Sequence, residues 1–168
     1  MATPRLTDTS YAVLGLLDAF EPATPYQLKQ IAQVSIFHFW AIPHTQLYTE
    51  CARLAEAGLL EERREKSGRR RRIYRLSAAG RKALRKWRAD PRADHYELRD
   101  PGLLKLFSGA DPVRLAESQL EQHQRRLHSY EELLDQTDMS EGMRLALEAG
   151  IGHEREYVRF WSRLRNHK

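Results

Sequence analysis

At 168 residues, 41% hydrophobic and 30% charged, the chain can bury a core and is too apolar for intrinsic disorder. Its net charge of +5 is unevenly spread. Residues 1–90 carry 16 Lys/Arg against 9 Asp/Glu, residues 91–168 carry 12 against 14, and residues 61–90 alone hold 13 against 4. So local a basic excess is the electrostatic footprint of a surface for a polyanion, with a solvated charged face as the plainer alternative. A mean hydropathy of −0.68 suits a helix-rich, elongated or oligomeric chain.

Cys51 is the single cysteine, which excludes an intrachain disulfide and a cysteine zinc cluster. The pairs His38/His44 and His123/His128 are six and five residues apart, not the one-turn spacing of helical metal ligands. No metal or other cofactor is therefore expected. Neither G-x-S-x-G, nor a P-loop, nor a dinucleotide fingerprint occurs, so an enzyme is not expected. Residues 1–5 lead into no signal-peptide apolar region, and Tyr11–Leu17 is too short to span a bilayer. The expectation is a cytoplasmic protein with no membrane partner.

In chain order, Asp8, Thr9 and Ser10 offer caps to a helix whose Tyr11, Val13, Leu14, Leu16 and Leu17 read as buried. Glu21-Pro22-Ala23 breaks it. Thr24, Pro25 and Gln27 spell a capping box with proline at the first helical position. This second helix turns Leu28, Ile31 and Ala32 inward and runs toward Phe37. The aromatics Phe39 and Trp40 then enter a bend before Pro43.

A third helix opens at Pro43. Leu47, Cys51, Leu54 and Ala55 form its apolar face, and His44, Thr45, Gln46, Tyr48, Thr49 and Arg53 lie largely off it. Cys51 thus reads as a small core residue. Gly58 can adopt the left-handed conformation that stops a helix. A hairpin follows, with a Lys66-Ser67-Gly68 turn and the run Arg69–Arg72 on the returning strand. Ser77 caps a fourth helix with an Ala83, Leu84, Trp87 stripe.

Helix, helix, turn, helix and ribbon is the order of a winged helix-turn-helix, the fold expected for residues 1–90. In such a module His44, Thr45, Gln46, Tyr48 and Thr49 present themselves to double-stranded DNA. Gln46 is the candidate base reader, because its amide can pair bidentately with adenine. Lys66, Arg69, Arg70 and Arg71 at the wing tip would neutralise phosphate. Arg53 has two readings: it reaches the DNA backbone, or it pairs with Glu50 or Glu56.

The second part, residues 91–168, begins near Asp90-Pro91, where the charge balance changes sign. Leu103, Leu104, Leu106 and Phe107 form a short apolar segment, and Asp111-Pro112 opens a long helix. Val113, Ala116, Leu120, Gln124, Leu127, Tyr130 and Leu134 approximate its seam, with Gln124 the polar member. Ser140 caps a last helix with Met143, Leu147, Ile151, Glu154, Tyr157, Val158, Trp161 and Leu164 on its stripe. Two such stripes need each other, the first domain or a partner chain, and a homodimer is the expected solution. The whole is therefore mainly α with a small β-wing, a winged helix-turn-helix domain followed by a C-terminal helical dimerisation and effector domain. The aromatic and imidazole side chains of Tyr11, His38, Phe39, Trp40, Phe107, His153, Tyr157 and Trp161 are candidates for a ligand wall, with plain core or interface packing as the alternative.

Several stretches resemble the PadR-like transcriptional regulators. Tyr11-Ala12-Val13-Leu14-Gly15-Leu16-Leu17 resembles the family's opening helix. Phe39-Trp40 with His44-Thr45-Gln46-Leu47-Tyr48 resembles its aromatic bend and recognition-helix start. Arg53-Leu54, Gly58-Leu59-Leu60 and Tyr74-Arg75-Leu76-Ser77-Ala78-Ala79-Gly80 match the rest of the module. Lys105-Leu106-Phe107 and Glu154-Arg155-Glu156-Tyr157-Val158 are similar to a longer subgroup with a virulence-regulator-like helical tail. Cys51 stands where the family usually has leucine, and Thr49 where many members have proline. The resemblance implies a homodimeric regulator, usually a repressor, on a near-palindromic operator, released by a small aromatic or phenolic compound. The rival reading is a non-enzymatic protein-interaction module.

Overall fold

The computed structural model describes residues 5–37, 39–65, 70–136 and 139–166. The chain divides into two compact units, Met1–Ala93 and Asp94–Lys168.

In the first unit, α1 (Asp8–Phe20), α2 (Pro25–Ser35) and α3 (His44–Glu56) precede a hairpin of β1 (Leu60–Arg64) and β2 (Arg72–Leu76), and α4 (Ala78–Arg88) follows. Thr7 caps α1, not one of the three residues after it. The reciprocal pair decides this: Thr7 Oγ1 accepts from the Ser10 N–H, and the Thr7 N–H donates to Ser10 Oγ at 2.8 Å. At α2 the box is as spelled, with the Thr24 N–H donating to Gln27 Oε1 at 2.9 Å. That helix stops at Ser35, short of Phe37.

Gly58 has φ +73°, so the chain leaves α3 in the left-handed conformation that a side chain would oppose. The strands pair antiparallel from Leu60↔Leu76 to Arg64↔Arg72. Ala23 adds a bridge to Tyr74, exchanging backbone hydrogen bonds of 3.1 and 2.9 Å that tie the α1–α2 connection to the base of the wing. Ser77 caps α4, accepting from the Gly80 N–H at 3.0 Å. The core gathers Val13, Leu14, Leu17, Leu28, Leu47, Cys51, Leu54, Tyr74, Leu76 and Leu84, one face from each element, as the periodicity requires.

In the second unit, Asp100 caps α5 (Pro101–Phe107), accepting from the N–H groups of Gly102 and Leu103 at 2.7 and 3.0 Å. Asp111 does the same for α6 (Pro112–Gln136), and Ser140 for α7 (Glu141–Arg165). The two long helices pack along each other, with Ala116, Leu120 and Trp161 at the buried centre. One seam position differs from the sequence expectation. Gln124 is exposed, and its neighbour His123 turns inward instead. Both fit a three- or four-residue step, so spacing alone cannot choose. The buried carboxylate of Glu154 on α7 chooses, because His123 Nδ1 lies 2.6 Å from its Oε2.

Candidate nucleic-acid interface

The candidate reading face is the outer side of α3. His44, Thr45, Gln46, Tyr48 and Thr49 are all exposed, while Leu47, Cys51 and Leu54 hold the helix to the core. The helix starts at Pro43 without a side-chain cap. Its first backbone N–H groups thus meet no capping side chain, and an anion such as a phosphate suits them. The His44 and Tyr48 rings meet at a tilt of 41° one turn apart, 4.6 Å between centroids. Thr49 Oγ1 donates back to the Thr45 carbonyl at 2.9 Å, which occupies its hydroxyl proton. Gln46 Nε2 donates to Thr9 Oγ1 of α1 at 3.4 Å.

Arg53 makes the acid pairing that one of its two sequence readings names. Its Nε and Nη2 grip Glu50 at 2.9 and 2.6 Å, and Nη2 also donates to Ser10 Oγ at 2.9 Å. Glu56 is not the partner in these contacts. Glu50 is only 9% exposed. The Arg53 hydrogen bond holds its carboxyl below the usual range, against the opposing pull of burial. Ser10 is wholly buried, and its part could not be read from a sequence in which it stands forty-three positions away.

On the wing, Arg70 and Arg71 are exposed, and Arg70 has φ +46° where the chain turns back. Arg71 Nε donates to Glu65 Oε2 at 3.1 Å. Lys66 and Arg69, also expected at the tip, lie outside the described residues. Arg64 and Arg72 stand directly opposite across the strands, a like-charge pair. Glu62 between them relieves it, 2.9 Å from Arg64 and 3.6 Å from Arg72, and accepts from the Tyr74 hydroxyl at 3.2 Å. The wing is thus a basic surface partly neutralised by an acid of its own strand, which was not evident from the arginine count.

The candidate ligand residues divide between the units. In the first, Phe39 and Trp40 are exposed, and Tyr11 stacks on Trp87 at 4.8 Å, a partner the sequence did not suggest. His38 lies outside the described residues. In the second, Phe107 is 90% exposed, whereas Trp161 is wholly buried in the core. His153 and His123 each meet the Tyr157 ring at a tilt, 4.6 Å between centroids. Burial, then hydrogen bonding to Asp100, pushes the Tyr157 phenol up to about 12. Beside it Glu154, 3% exposed, joins His123 with Arg126, whose Nη1 lies 3.3 Å from Oε1. The signal for this cluster was an acid on an otherwise apolar stripe.

Residues 13–86 match the model of the transcriptional regulator PadR-like family. The helices of the first unit and its wing are what this chain shares with that family. It is 26% identical over 165 residues to the negative transcriptional regulator PadR of Bacillus subtilis, covering 88% of this chain and 90% of the relative. The crystal structure of Bacillus subtilis PadR in complex with operator DNA superposes with a TM-score of 0.81 at 21% identity, over 96% of this chain and 98% of that one. The virulence activator AphA of Vibrio cholerae has a TM-score of 0.67 at 25% identity, over 94% and 95%. A structure of Bacillus subtilis PadR with p-coumaric acid superposes at 0.73 and 23% identity, over 98% and 97%. The family matched and these relatives are regulators of transcription. Among the described residues no helix is long and apolar enough to cross a membrane.

Proposed function

We propose that this PadR-like regulator binds a near-palindromic operator as a homodimer in the cytoplasm and represses until a small aromatic or phenolic compound releases it. Residues 1–90 read DNA, and residues 91–168 pair two copies. The observation that carries the reading is the outer face of α3, five exposed polar or aromatic side chains beside an arginine wing. Gln46 reads a base edge, His44, Thr45, Tyr48 and Thr49 surround it, and Arg70 and Arg71, with Lys66 and Arg69, hold phosphate. The complex of Bacillus subtilis PadR, a protein of the same fold, with operator DNA supports DNA as the partner.

The complex of that relative with p-coumaric acid supports a phenolic effector. Phe39 and Trp40 in one unit, and Phe107 with the half-exposed His153–Tyr157 pair in the other, are aromatic surfaces for such a compound. Trp161 and Tyr11 serve packing in this reading.

The test is binding to a duplex recovered by selection from a randomised library. Gln46→Ala should relax discrimination at one base pair by about 1–3 kcal/mol and leave the others intact. Phenolic acids should release the wild-type complex. Unchanged discrimination at every position would remove Gln46 as the reader.

A further inference from the structure

We infer that Arg53 is a positioning strut for the reading face of α3 and not a phosphate contact, with Glu50 and Ser10 as the groups that hold it. The inference rests on the reading that α3 enters the major groove. A guanidinium offers five N–H donors in a fixed fork. In Arg53 they already make four hydrogen bonds within the protein: two to Glu50, one to Ser10 Oγ at 2.9 Å, and one to the Arg5 carbonyl at 3.3 Å.

The two side-chain partners are themselves fixed. Glu50 is buried on the inner side of α3, so its carboxylate needs a cation and has this one. Ser10 is buried in the first turn of α1, and its hydroxyl oxygen also accepts from the Thr7 N–H at 2.8 Å. The capping box of α1 and the ion pair of α3 therefore share one oxygen. For Arg53 to swing toward a phosphate, a buried carboxylate would lose its counter-charge, while the new contact would be screened by salt. The exchange is unfavourable.

A second tie lies one helical turn earlier. Gln46 stands four residues before Glu50 and donates to Thr9, the residue before Ser10. Adjacent residues of α1 thus hold α3 at two levels. With one Nε2 hydrogen on Thr9, Gln46 keeps its other N–H and its Oε1 for an adenine edge. The strut beneath sets the height and roll at which that amide is offered.

The experiment uses the full chain, the duplex recovered by selection with the unaltered protein, and a scrambled duplex of equal length, titrated over a range of salt. Arg53→Gln should leave the slope of log K against log salt unchanged and lower the ratio of selected to scrambled affinity roughly tenfold, within the range of one misread base. Glu50→Gln frees the guanidinium, so it should steepen the slope by about 0.9 per chain on both duplexes. The double variant E50Q/R53Q leaves no buried charge unpaired. It carries the same slope readout if R53Q alone unfolds, and its slope should equal that of the unaltered protein. A slope made shallower by about 0.9 per chain in R53Q or in the double variant, with the affinity ratio unchanged, would make Arg53 a phosphate contact and overturn the strut. No salt-dependent binding by the unaltered protein would remove the groove reading, and this inference with it.

Discussion

Gly80→Ala sets two effects of opposite sign against each other. Alanine is favoured over glycine inside a helix by about 1 kcal/mol, and by less in the first turn where Gly80 lies. Against this, a Cβ at Gly80 would sit well inside van der Waals contact with the Leu59 carbonyl oxygen, with Leu76 Cδ2 only 3.3 Å away. The oxygen belongs to backbone and cannot rotate aside. It also accepts the Ser77 N–H at 3.1 Å, so moving it strains the start of α4 as well. Overpacking costs about 1–3 kcal/mol, and an immobile obstacle places this case at the upper end. The net expectation is a loss of about 2 kcal/mol, which for a unit of this size lowers Tm by roughly 10 °C. Leu59 is where α3 gives way to the wing, so the same displacement should weaken DNA binding. Thermal unfolding followed by circular dichroism measures the first effect. Gly15→Ala in α1 is the control, because a Cβ there meets nothing within 4 Å. It should gain up to about 1 kcal/mol. A Gly80→Ala protein as stable as its parent would refute the reasoning, since it would mean the α4–Leu59 approach is not close.

Two further outcomes follow from buried groups. Burial pushes the Glu154 carboxyl up, but the hydrogen bonds and charges of His123 and Arg126 outweigh it and hold the folded value below the ordinary 4.5. The stability this supplies is complete above pH 4.5 and is lost as pH falls through the lower folded value. Glu154→Gln should cost about 1–3 kcal/mol near neutrality and flatten that acid limb in urea titrations; a limb of unchanged steepness would count against it. Burial also pushes the Cys51 thiol up to about 12. Iodoacetamide at pH 8 should leave the native protein unlabelled and modify one site after denaturation, and labelling of the native form would show that the α3 core opens.

What the sequence discloses is mostly what neighbours in the chain decide. Thr24, Pro25 and Gln27 act on one another within a single turn, so the start of α2 was legible in full. At α1 three adjacent capping residues competed, and the true cap preceded them all, because Ser10 serves as the N3 partner of a box whose cap is Thr7. The exposure of His44, Thr45, Gln46, Tyr48 and Thr49 on α3 followed from its apolar periodicity. What that face rests on did not, since Arg53 had two acids in helical reach and the deciding hydroxyl belonged to Ser10 on another helix. The same limit separated His123 from Gln124: adjacent positions share a seam equally well until a buried partner, here Glu154, selects one. Aromatic positions were legible as a class and not as partners, as Tyr11 on Trp87 illustrates.

The central claim is that two copies of the α3 face read successive major grooves of one duplex. Hydroxyl-radical footprinting on the selected duplex, with the bound stoichiometry measured on the same sample, tests it most directly. Two chains per duplex are expected, with two protected patches on one face of the DNA about 34–36 Å apart. A single patch with one chain bound, or protection that ignores sequence, would contradict it.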